Sequence, residues 1–235
     1  MNPLAVISSG TRGIGRATVM LFLKNGFDVV TGSRKQLNID RLEAETGKKN
    51  FPGKLFTFNA DLSTPEGVGS FVNYVRSLGR PVEVLINNTG LFIPGQIHNE
   101  AEGVLEKMLD ANLFSAYRLT RGLVGDMIRQ KRGHIFNMCS IASITAYANG
   151  GSYAIAKHAL YGMSKVLRQE LKAHNIRVTA ILPGATLTDS WAGTDLPPER
   201  FMKSEDIASA IWAAYSLSEG AVLEELILRP QLGDI

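Results

Sequence analysis

Short apolar runs alternate along this chain with longer segments in which apolar residues recur at helical spacing. The short runs, rich in β-branched residues, predict buried strands, and the longer segments predict helices. The predicted strands are Leu4–Ser8, Asp28–Gly32, Leu55–Asn59, Val82–Asn87, Gly133–Cys139, Arg177–Leu182 and Glu224–Arg229. The predicted helices lie near Ile14–Asn25, Gln36–Thr46, Thr64–Leu78, Glu102–Gln130, Ser152–His174 and Ser204–Ser218.

This alternation predicts one α/β domain over residues 1–235, with a doubly wound, seven-stranded parallel sheet and helices on both faces. No internal repeat, low-complexity tract or linker divides the chain. Ligands of such sheets bind at the carboxyl ends of the strands, near the point where the strand order reverses. Reactive side chains are therefore expected in the segments that follow the strands.

Composition narrows the class of protein without changing this picture. The 235 residues are 45% hydrophobic and 20% charged, and the net charge of +3 comes from scattered basic residues, so nucleic-acid binding is not expected. Cys139 is the single cysteine, and the dispersed histidines 98, 134, 158 and 174 predict no metal site. No targeting segment or membrane-spanning apolar run is visible, so we expect a cytoplasmic protein without a membrane partner.

A glycine-rich turn follows the first predicted strand and opens the first helix. Backbone N–H groups and the helix dipole at such a turn can hold a pyrophosphate, although a tight turn without a ligand shows the same pattern. The turn comprises Ser8, Ser9, Gly10, Thr11, Arg12, Gly13, Ile14 and Gly15.

The end of the second predicted strand indicates which dinucleotide the turn would serve. An acidic residue there would hold the ribose of NAD, but the chain has Ser33, Arg34 and Lys35. A guanidinium suits the 2′-phosphate of NADP, and we expect Arg12 to face the same phosphate. The prediction is NADP(H) rather than NAD(H); two solvated loop arginines are the alternative.

Tyr153 and Lys157 lie one turn apart on a predicted helix, which places a phenol and an ammonium on the same face. A positive charge beside a tyrosine stabilises the phenolate, so we expect Lys157 to lower the tyrosine pKa toward a value useful for proton transfer. The spacing alone also fits a surface pair without a role. Ser140, at the end of a strand thirteen residues upstream of Tyr153, adds a hydroxyl that could hold a substrate oxygen.

With these motifs, the sequence resembles the short-chain dehydrogenase/reductase family from Leu4 to about Pro230. In that resemblance Asp61 and Leu62 correspond to the adenine contact, Asn88 and Gly90 to the segment after the fourth strand, Asn112 to the helix asparagine of the proton relay, and Pro183, Gly184 and Thr188 to the nicotinamide-carboxamide segment.

The resemblance implies a Rossmann fold with strand order 3-2-1-4-5-6-7 and transfer of the 4-pro-S hydride between NADP(H) and a carbonyl or secondary alcohol. It implies that Ser140 and Tyr153 hold the substrate oxygen. Lys157 would bind the nicotinamide ribose and, with Asn112 and water, connect the site to solvent. Paired long helices in the family also imply a homodimer or homotetramer.

Two departures from the family pattern stand out. Ser9 occupies the place of the first glycine, and we expect it to keep a negative φ while Gly10 absorbs the bend. The sequence ends soon after Pro230, without the longer glycine-rich tail of many members, which makes a tail-mediated tetramer less expected.

The substrate is left open by the sequence. Residues 188–205 resemble the family's short lid, and its apolar side chains, such as Trp191, Leu196 and Phe201, predict either an apolar carbonyl substrate or ordinary core packing. The opposite wall is expected to include Leu91, Phe92, Ile141, Ser143 and Tyr147.

Two alternative functions follow from the same motifs. A 3-oxoacyl-acyl-carrier-protein reductase would need a basic patch at the cleft mouth, for which Arg121, Arg129, Lys131 and Arg132 are the candidates. A non-catalytic NADP(H) sensor would share the fold but would have no need of the grouped Ser140, Tyr153 and Lys157.

Overall fold

A computed structural model describes all residues, 1–235, and shows one parallel sheet of seven strands. The strand order is β3-β2-β1-β4-β5-β6-β7, so the predicted fold class and the implied order are both confirmed. The strands are Leu4–Ile7 (β1), Asp28–Ser33 (β2), Leu55–Asn59 (β3), Val82–Asn87 (β4), Gly133–Met138 (β5), Ile176–Pro183 (β6) and Glu225–Leu228 (β7).

Seven α-helices connect these strands. They are Gly13–Lys24 (α1), Gln36–Gly47 (α2), Pro65–Ser77 (α3), Val104–Leu109 (α4), Ser115–Gln130 (α5), Gly151–Leu171 (α6) and Ser204–Tyr215 (α7). The continuous helix predicted over Glu102–Gln130 is wrong in detail. It begins only after Gly103, whose φ is 81°, and a π-helical turn at Asp110–Phe114 separates α4 from α5.

Two apolar layers enclose the sheet, one on each face. Along β1 the side chains alternate: Leu4 and Val6 belong to one layer, whereas Ala5 and Ile7 belong to the other. The first layer packs against α3 and α5, and the second packs against α1 and α7. Because both faces are covered, strands such as β1 are apolar throughout, and this explains the uninterrupted apolar runs in the sequence.

A histidine is buried within β5. His134 has no exposed surface, and its Nε2 lies 2.8 Å from the hydroxyl of Thr179. That hydroxyl donates to the carbonyl of Leu223 at 2.6 Å, so it accepts from His134 Nε2–H. Burial, reinforced by the charge of Arg177, lowers the pKa of His134 to about 2.

This burial predicts a loss of stability in acid. As pH falls below about 6.5 the histidine of the unfolded chain binds a proton, whereas the folded chain does not until its pKa of about 2. The free energy of unfolding should therefore fall by up to about 1.4 kcal/mol per pH unit between pH 6 and 4 from this group alone. Urea titrations of His134→Gln should show a shallower pH slope than the unmodified protein, with exposed His98→Gln as the control. Equal slopes for His134→Gln and the unmodified protein would refute this assignment.

Candidate active site

The turn after β1 is fastened to the loop after β4. The Ser8 hydroxyl accepts the backbone N–H groups of Asn88 and Thr89 at 2.8 and 2.9 Å. The Asn88 amide in turn donates to the carbonyls of Ser8 and Ser9 at 3.1 and 3.2 Å. The structure thus brings together Ser8, Ser9 and Asn88, which the sequence had placed in separate motifs.

Glycines within this turn are required by close packing. A Cβ at Gly15 would lie 2.5 Å from the Asn88 amide nitrogen and 2.7 Å from the Ser9 carbonyl oxygen. Gly13 has φ 51°, and a Cβ there would lie 3.1 Å from the Thr188 methyl. Thr188 therefore borders the glycine-rich turn, and its predicted role at the nicotinamide carboxamide stays a prediction.

The expectation for Ser9 is wrong. Ser9 itself has the positive φ, 53°, and Gly10 is not among the residues with positive φ. A left-handed conformation costs a residue with a Cβ about 1–2 kcal/mol. Here the Ser9 hydroxyl lies 2.9 Å from the Thr89 hydroxyl, and this hydrogen bond helps to hold the turn. Gly10 instead donates its N–H to the Thr31 hydroxyl at 2.8 Å. A Cβ at Gly10 would lie 2.5 Å from that hydroxyl oxygen, so no side chain fits there.

A basic residue and an acidic residue meet at the ends of β2 and β3. Arg34 is exposed and its guanidinium lies 3.8 Å from the carboxylate of Asp61. Burial alone would raise the pKa of Asp61, but hydrogen bonds from Ser63 and the charge of Arg34 hold that pKa below its usual range. Leu62 is buried beside it, and Ser33 ends β2. The Arg34 side chain is 62% exposed at this corner, and its contact with a phosphate stays a prediction.

Arg12 has a different partner from the one expected. Its guanidinium forms an ion pair with Asp189, in the first short helix of the lid segment. The structure therefore links the glycine-rich turn to the lid through Arg12, whereas a phosphate contact shared with Arg34 stays a prediction. The flanking residues Thr11 and Ile14 are buried and half-buried respectively.

The candidate catalytic residues converge beyond the ends of β4 and β5. Ser140 lies two residues beyond the end of β5, and α6 carries both Tyr153 and Lys157. Lys157 is only 4% exposed; its Nζ donates to the Met138 carbonyl at 2.7 Å and lies 5.6 Å from the centroid of the Tyr153 ring. The ring of Phe92 packs edge-on against Tyr153 at 5.0 Å. The loop after β4 therefore packs against the tyrosine ring that α6 carries.

Asn112 reaches this cluster from the π-helical turn. It is fully buried; its amide donates to the carbonyls of Leu91 and Met108 at 2.8 and 3.0 Å, and its oxygen accepts the Leu91 N–H. A Cβ at Gly90 would lie 3.0 Å from the Asn112 oxygen and 3.6 Å from Lys157 Nζ. The Asn112 oxygen and Lys157 Nζ therefore both lie close to Gly90. The π turn frequently marks functional sites, but no sequence pattern indicated it.

The electrostatics of the site differ from the simple expectation for the tyrosine. Burial raises the pKa of Tyr153 above its ordinary value, although the neighbouring Ser140 hydroxyl opposes this shift. Burial also lowers the pKa of Lys157 to about 8. The expected net lowering of the tyrosine pKa is therefore wrong for this arrangement, in which Lys157 is directed to the Met138 carbonyl.

The Tyr-x-x-x-Lys spacing occurs twice on α6. The second pair, Tyr161 and Lys165, has the same separation, with Lys165 Nζ 4.1 Å from the ring centroid. The Tyr161 hydroxyl donates to Glu225 at 2.6 Å, and Lys165 is 59% exposed. Only the pair at 153 and 157 faces the end of β5, so tertiary position, and not spacing, distinguishes them.

The predicted substrate walls are only partly present. Ser143 is buried and its hydroxyl donates to the Lys157 carbonyl at 2.9 Å, so it supports α6 instead of facing substrate. In the lid, Phe201 is buried and packs edge-on against Trp191 at 5.0 Å, whereas Leu196 is exposed. The core-packing interpretation thus holds for Phe201.

Three of the four residues proposed as a basic patch for an acidic carrier lie away from the cleft; the fourth, Arg121, lies in α5. Arg129, Lys131 and Arg132 precede β5, so they lie at its amino end, on the opposite edge of the sheet from Ser140. Arg129 pairs with Asp126, and Arg132 lies 3.0 Å from Glu83. These residues do not line the mouth of the cleft in this chain.

No cluster of three or more histidine, cysteine or acidic side chains could hold a metal ion. None of the helices combines the length and the apolar character that crossing a bilayer requires.

The strand order and the glycine-rich turn are those of a dinucleotide-binding fold, and hydroxyl-bearing residues lie at its carboxyl edge. A family model described as short chain dehydrogenase matches residues 3–197. The chain therefore belongs to the short-chain dehydrogenase/reductase family, whose members use nicotinamide cofactors, and the resemblance read from the sequence is confirmed.

Individual relatives and solved structures support the same family assignment. The chain is 29% identical to a sepiapterin reductase of Chlorobaculum tepidum, covering 100% of this chain and 99% of the relative. It is 30% identical to a 3-oxoacyl-[acyl-carrier-protein] reductase of Thermotoga maritima, covering 88% of each. The crystal structure of L-sorbose reductase from Gluconobacter frateurii with NADPH and L-sorbose matches with a TM-score of 0.89 at 27% identity, covering 97% of this chain and 95% of that one.

Proposed function

We propose that this protein is an NADP(H)-dependent oxidoreductase that interconverts a carbonyl and a secondary alcohol, with Tyr153 as the proton donor. The observation that carries the proposal is the convergence of Tyr153, Lys157 and Asn112 beside Gly90, at the sheet edge where the glycine-rich turn also lies. A non-catalytic NADP(H) sensor gains nothing from burying an ammonium at this place, because burial of an unpaired charge is costly.

The residues present fit a bound dinucleotide. Gly13 and Gly15 let the turn pack closely against Thr188 and Asn88. Arg34 offers a guanidinium at the end of β2, and Gly90 lies beside Asn112 and Lys157 without a side chain. NADPH supplies a hydride when bound. The residues proposed to hold it are Ser8, Ser9, Gly10, Thr11, Arg12, Gly13, Ile14, Gly15, Ser33, Arg34, Asp61, Leu62, Asn88, Gly90, Tyr153, Lys157, Pro183, Gly184 and Thr188.

In the reduction direction, Ser140 and Tyr153 donate hydrogen bonds to the carbonyl oxygen and so stabilise the negative charge that develops there. Tyr153 then gives its proton to that oxygen. Lys157 stabilises the resulting phenolate. The attraction between the ammonium and the phenolate is stronger at this buried position than it would be in water. Asn112, fixed by Leu91 and Met108, orients the path by which the proton is replaced from solvent.

A substrate survey tests the proposal directly. NADPH oxidation is followed with small ketones, aldehydes, quinones and acetoacetyl thioesters, each repeated with NADH. Faster turnover with NADPH on any carbonyl supports the proposal, and preference for the thioester would favour the 3-oxoacyl branch. Turnover of no carbonyl by a protein that still binds NADPH would contradict it and favour the sensor.

Arg34 gives a prediction for cofactor choice. Replacing Arg34 by alanine removes the cation nearest the predicted 2′-phosphate, so we expect KM for NADPH to rise about 10- to 30-fold while KM for NADH changes little. The measurement is steady-state kinetics with both cofactors, and Arg41→Ala, an exposed arginine on α2, is the matched control. An equal rise in KM for both cofactors would show that Arg34 does not read the phosphate.

We also propose that the protein forms a homodimer or homotetramer. Phe114, Tyr117 and Val166 are 38, 45 and 56% exposed, and they lie at the π turn, on α5 and on α6. Apolar side chains of this size on neighbouring long helices favour pairing of two copies about a two-fold axis.

A further inference from the structure

The loop between β4 and α4 is joined to the start of α6 at two places. Gly95 donates its N–H to the Asn149 carbonyl at 3.1 Å and forms an isolated parallel bridge with Gly150. Further along the loop, one carboxylate oxygen of Glu100 accepts the Ser152 backbone N–H at 2.9 Å, and the other accepts the Ser152 hydroxyl. Glu100 thus binds one residue of α6 with both oxygens.

The backbone of α6 is shaped to admit this carboxylate. Gly151, the first residue of the helix, has φ 29°, and a Cβ there would overlap the Glu100 carboxylate. The residue preceding the helix, Gly150, offers no side chain to cap it. The first N–H groups of a helix need acceptors from outside it, and a negative charge is favoured there by the helix dipole. Glu100 supplies both from a distant point of the chain.

The capped turn is the one that carries the proton donor. Ser152 immediately precedes Tyr153, so the hydrogen bonds to Ser152 fix the backbone from which the phenol extends. The same loop places Phe92 against the Tyr153 ring at 5.0 Å and bonds Leu91 to Asn112. Release of the Glu100 contact would let the first turn of α6 fray while the remainder of the helix, packed against β6, stays in place.

We propose that Glu100 is a positioning residue for Tyr153: its carboxylate holds the first turn of α6 so that the phenol meets the substrate oxygen. This inference rests on the proposed role of Tyr153. Glu100 does not touch substrate or cofactor in this assignment, and it acts only through the tyrosine.

Kinetics of three variants test the proposal. Glu100→Ala should lower kcat for carbonyl reduction about 10- to 30-fold, because small misplacement of a catalytic group is costly, while the dissociation constant for NADPH stays within about twofold. Glu100→Gln should restore kcat to within about threefold, because its oxygen can still accept the Ser152 N–H and its amide can donate to the hydroxyl. Ser152→Ala, which removes one of the two bonds, should give a smaller loss than Glu100→Ala.

A double variant shows whether Glu100 acts through Tyr153. In a Tyr153→Phe background, Glu100→Ala should lower the residual single-turnover rate by less than about twofold. Glu102→Ala, an exposed neighbour without hydrogen bonds or ion pairs, should leave kcat unchanged.

Three results would overturn the inference. The first is a kcat for Glu100→Ala within about twofold of the unmodified protein, and the second is a Gln variant as slow as the Ala variant. The third is a Glu100→Ala effect that is as large in the Tyr153→Phe background as in the unmodified protein. Should Glu100→Ala fail to fold, the Gln and Ser152 variants decide, and equal kcat in Ser152→Ala and the unmodified protein overturns the inference. Failure of the proposed function is distinguishable, because Tyr153→Phe alone would then retain full activity.

Discussion

Replacing Tyr153 by phenylalanine is expected to lower kcat for carbonyl reduction by about a thousandfold while the dissociation constant for NADPH changes by less than about threefold. The ring and its edge-on contact with Phe92 are retained, so the helix keeps its position. Only the hydroxyl is lost, and with it the proton donor beside Ser140. Single-turnover NADPH fluorescence measures the rate, and fluorescence titration measures the binding.

The matched control lies on the same helix. Tyr161→Phe removes an identical hydroxyl from the second Tyr-x-x-x-Lys pair, and kcat should stay within about twofold because the Tyr161 hydroxyl donates to Glu225, away from Ser140. Unchanged turnover in Tyr153→Phe would refute Tyr153 as the proton donor and, with it, the proposed mechanism.

The next largest effect is expected for Lys157→Met, with a loss of about a hundredfold in kcat. Methionine fills a similar volume in a site that is only 4% exposed, but it cannot stabilise a phenolate. The pH dependence gives a second readout. Since burial lowers the pKa of Lys157 to about 8, its charge is present below that pH and lost as pH rises through it. The reduction rate of the unmodified protein should therefore fall above about pH 8, and that fall should be absent from the variant.

Lys165→Met is the corresponding control, because Lys165 has the same spacing from Tyr161 but is 59% exposed. It should leave both kcat and the pH profile unchanged. If the reduction rate of Lys157→Met still fell at alkaline pH, another group would be responsible for the fall. The pH dependence would then give no support to the proposed role of the lysine charge.

The elements of the fold could be predicted because each depends on local periodicity. Strands buried on both faces require uninterrupted apolar runs, and amphipathic helices require apolar residues at helical spacing. The glycine-rich turn could be predicted for a similar reason, since Gly13 and Gly15 occupy positions where a side chain does not fit. The prediction for Ser9 failed because residue preference describes the cost of a conformation, whereas the hydrogen bond that holds Ser9 in the left-handed region comes from Thr89, eighty positions away.

The sequence by itself therefore determined the layers, the strand order through its family resemblance, and the residue types at the catalytic edge. Only the tertiary structure decided which Tyr-x-x-x-Lys pair faces Ser140, that Arg12 pairs with Asp189, and that the basic stretch before β5 lies on the far edge of the sheet. It also decided that Glu100 caps α6. The physical reason is common to all of these: periodicity and turn chemistry act between neighbours in the chain, whereas ion pairs, burial and caps act between groups that folding brings together.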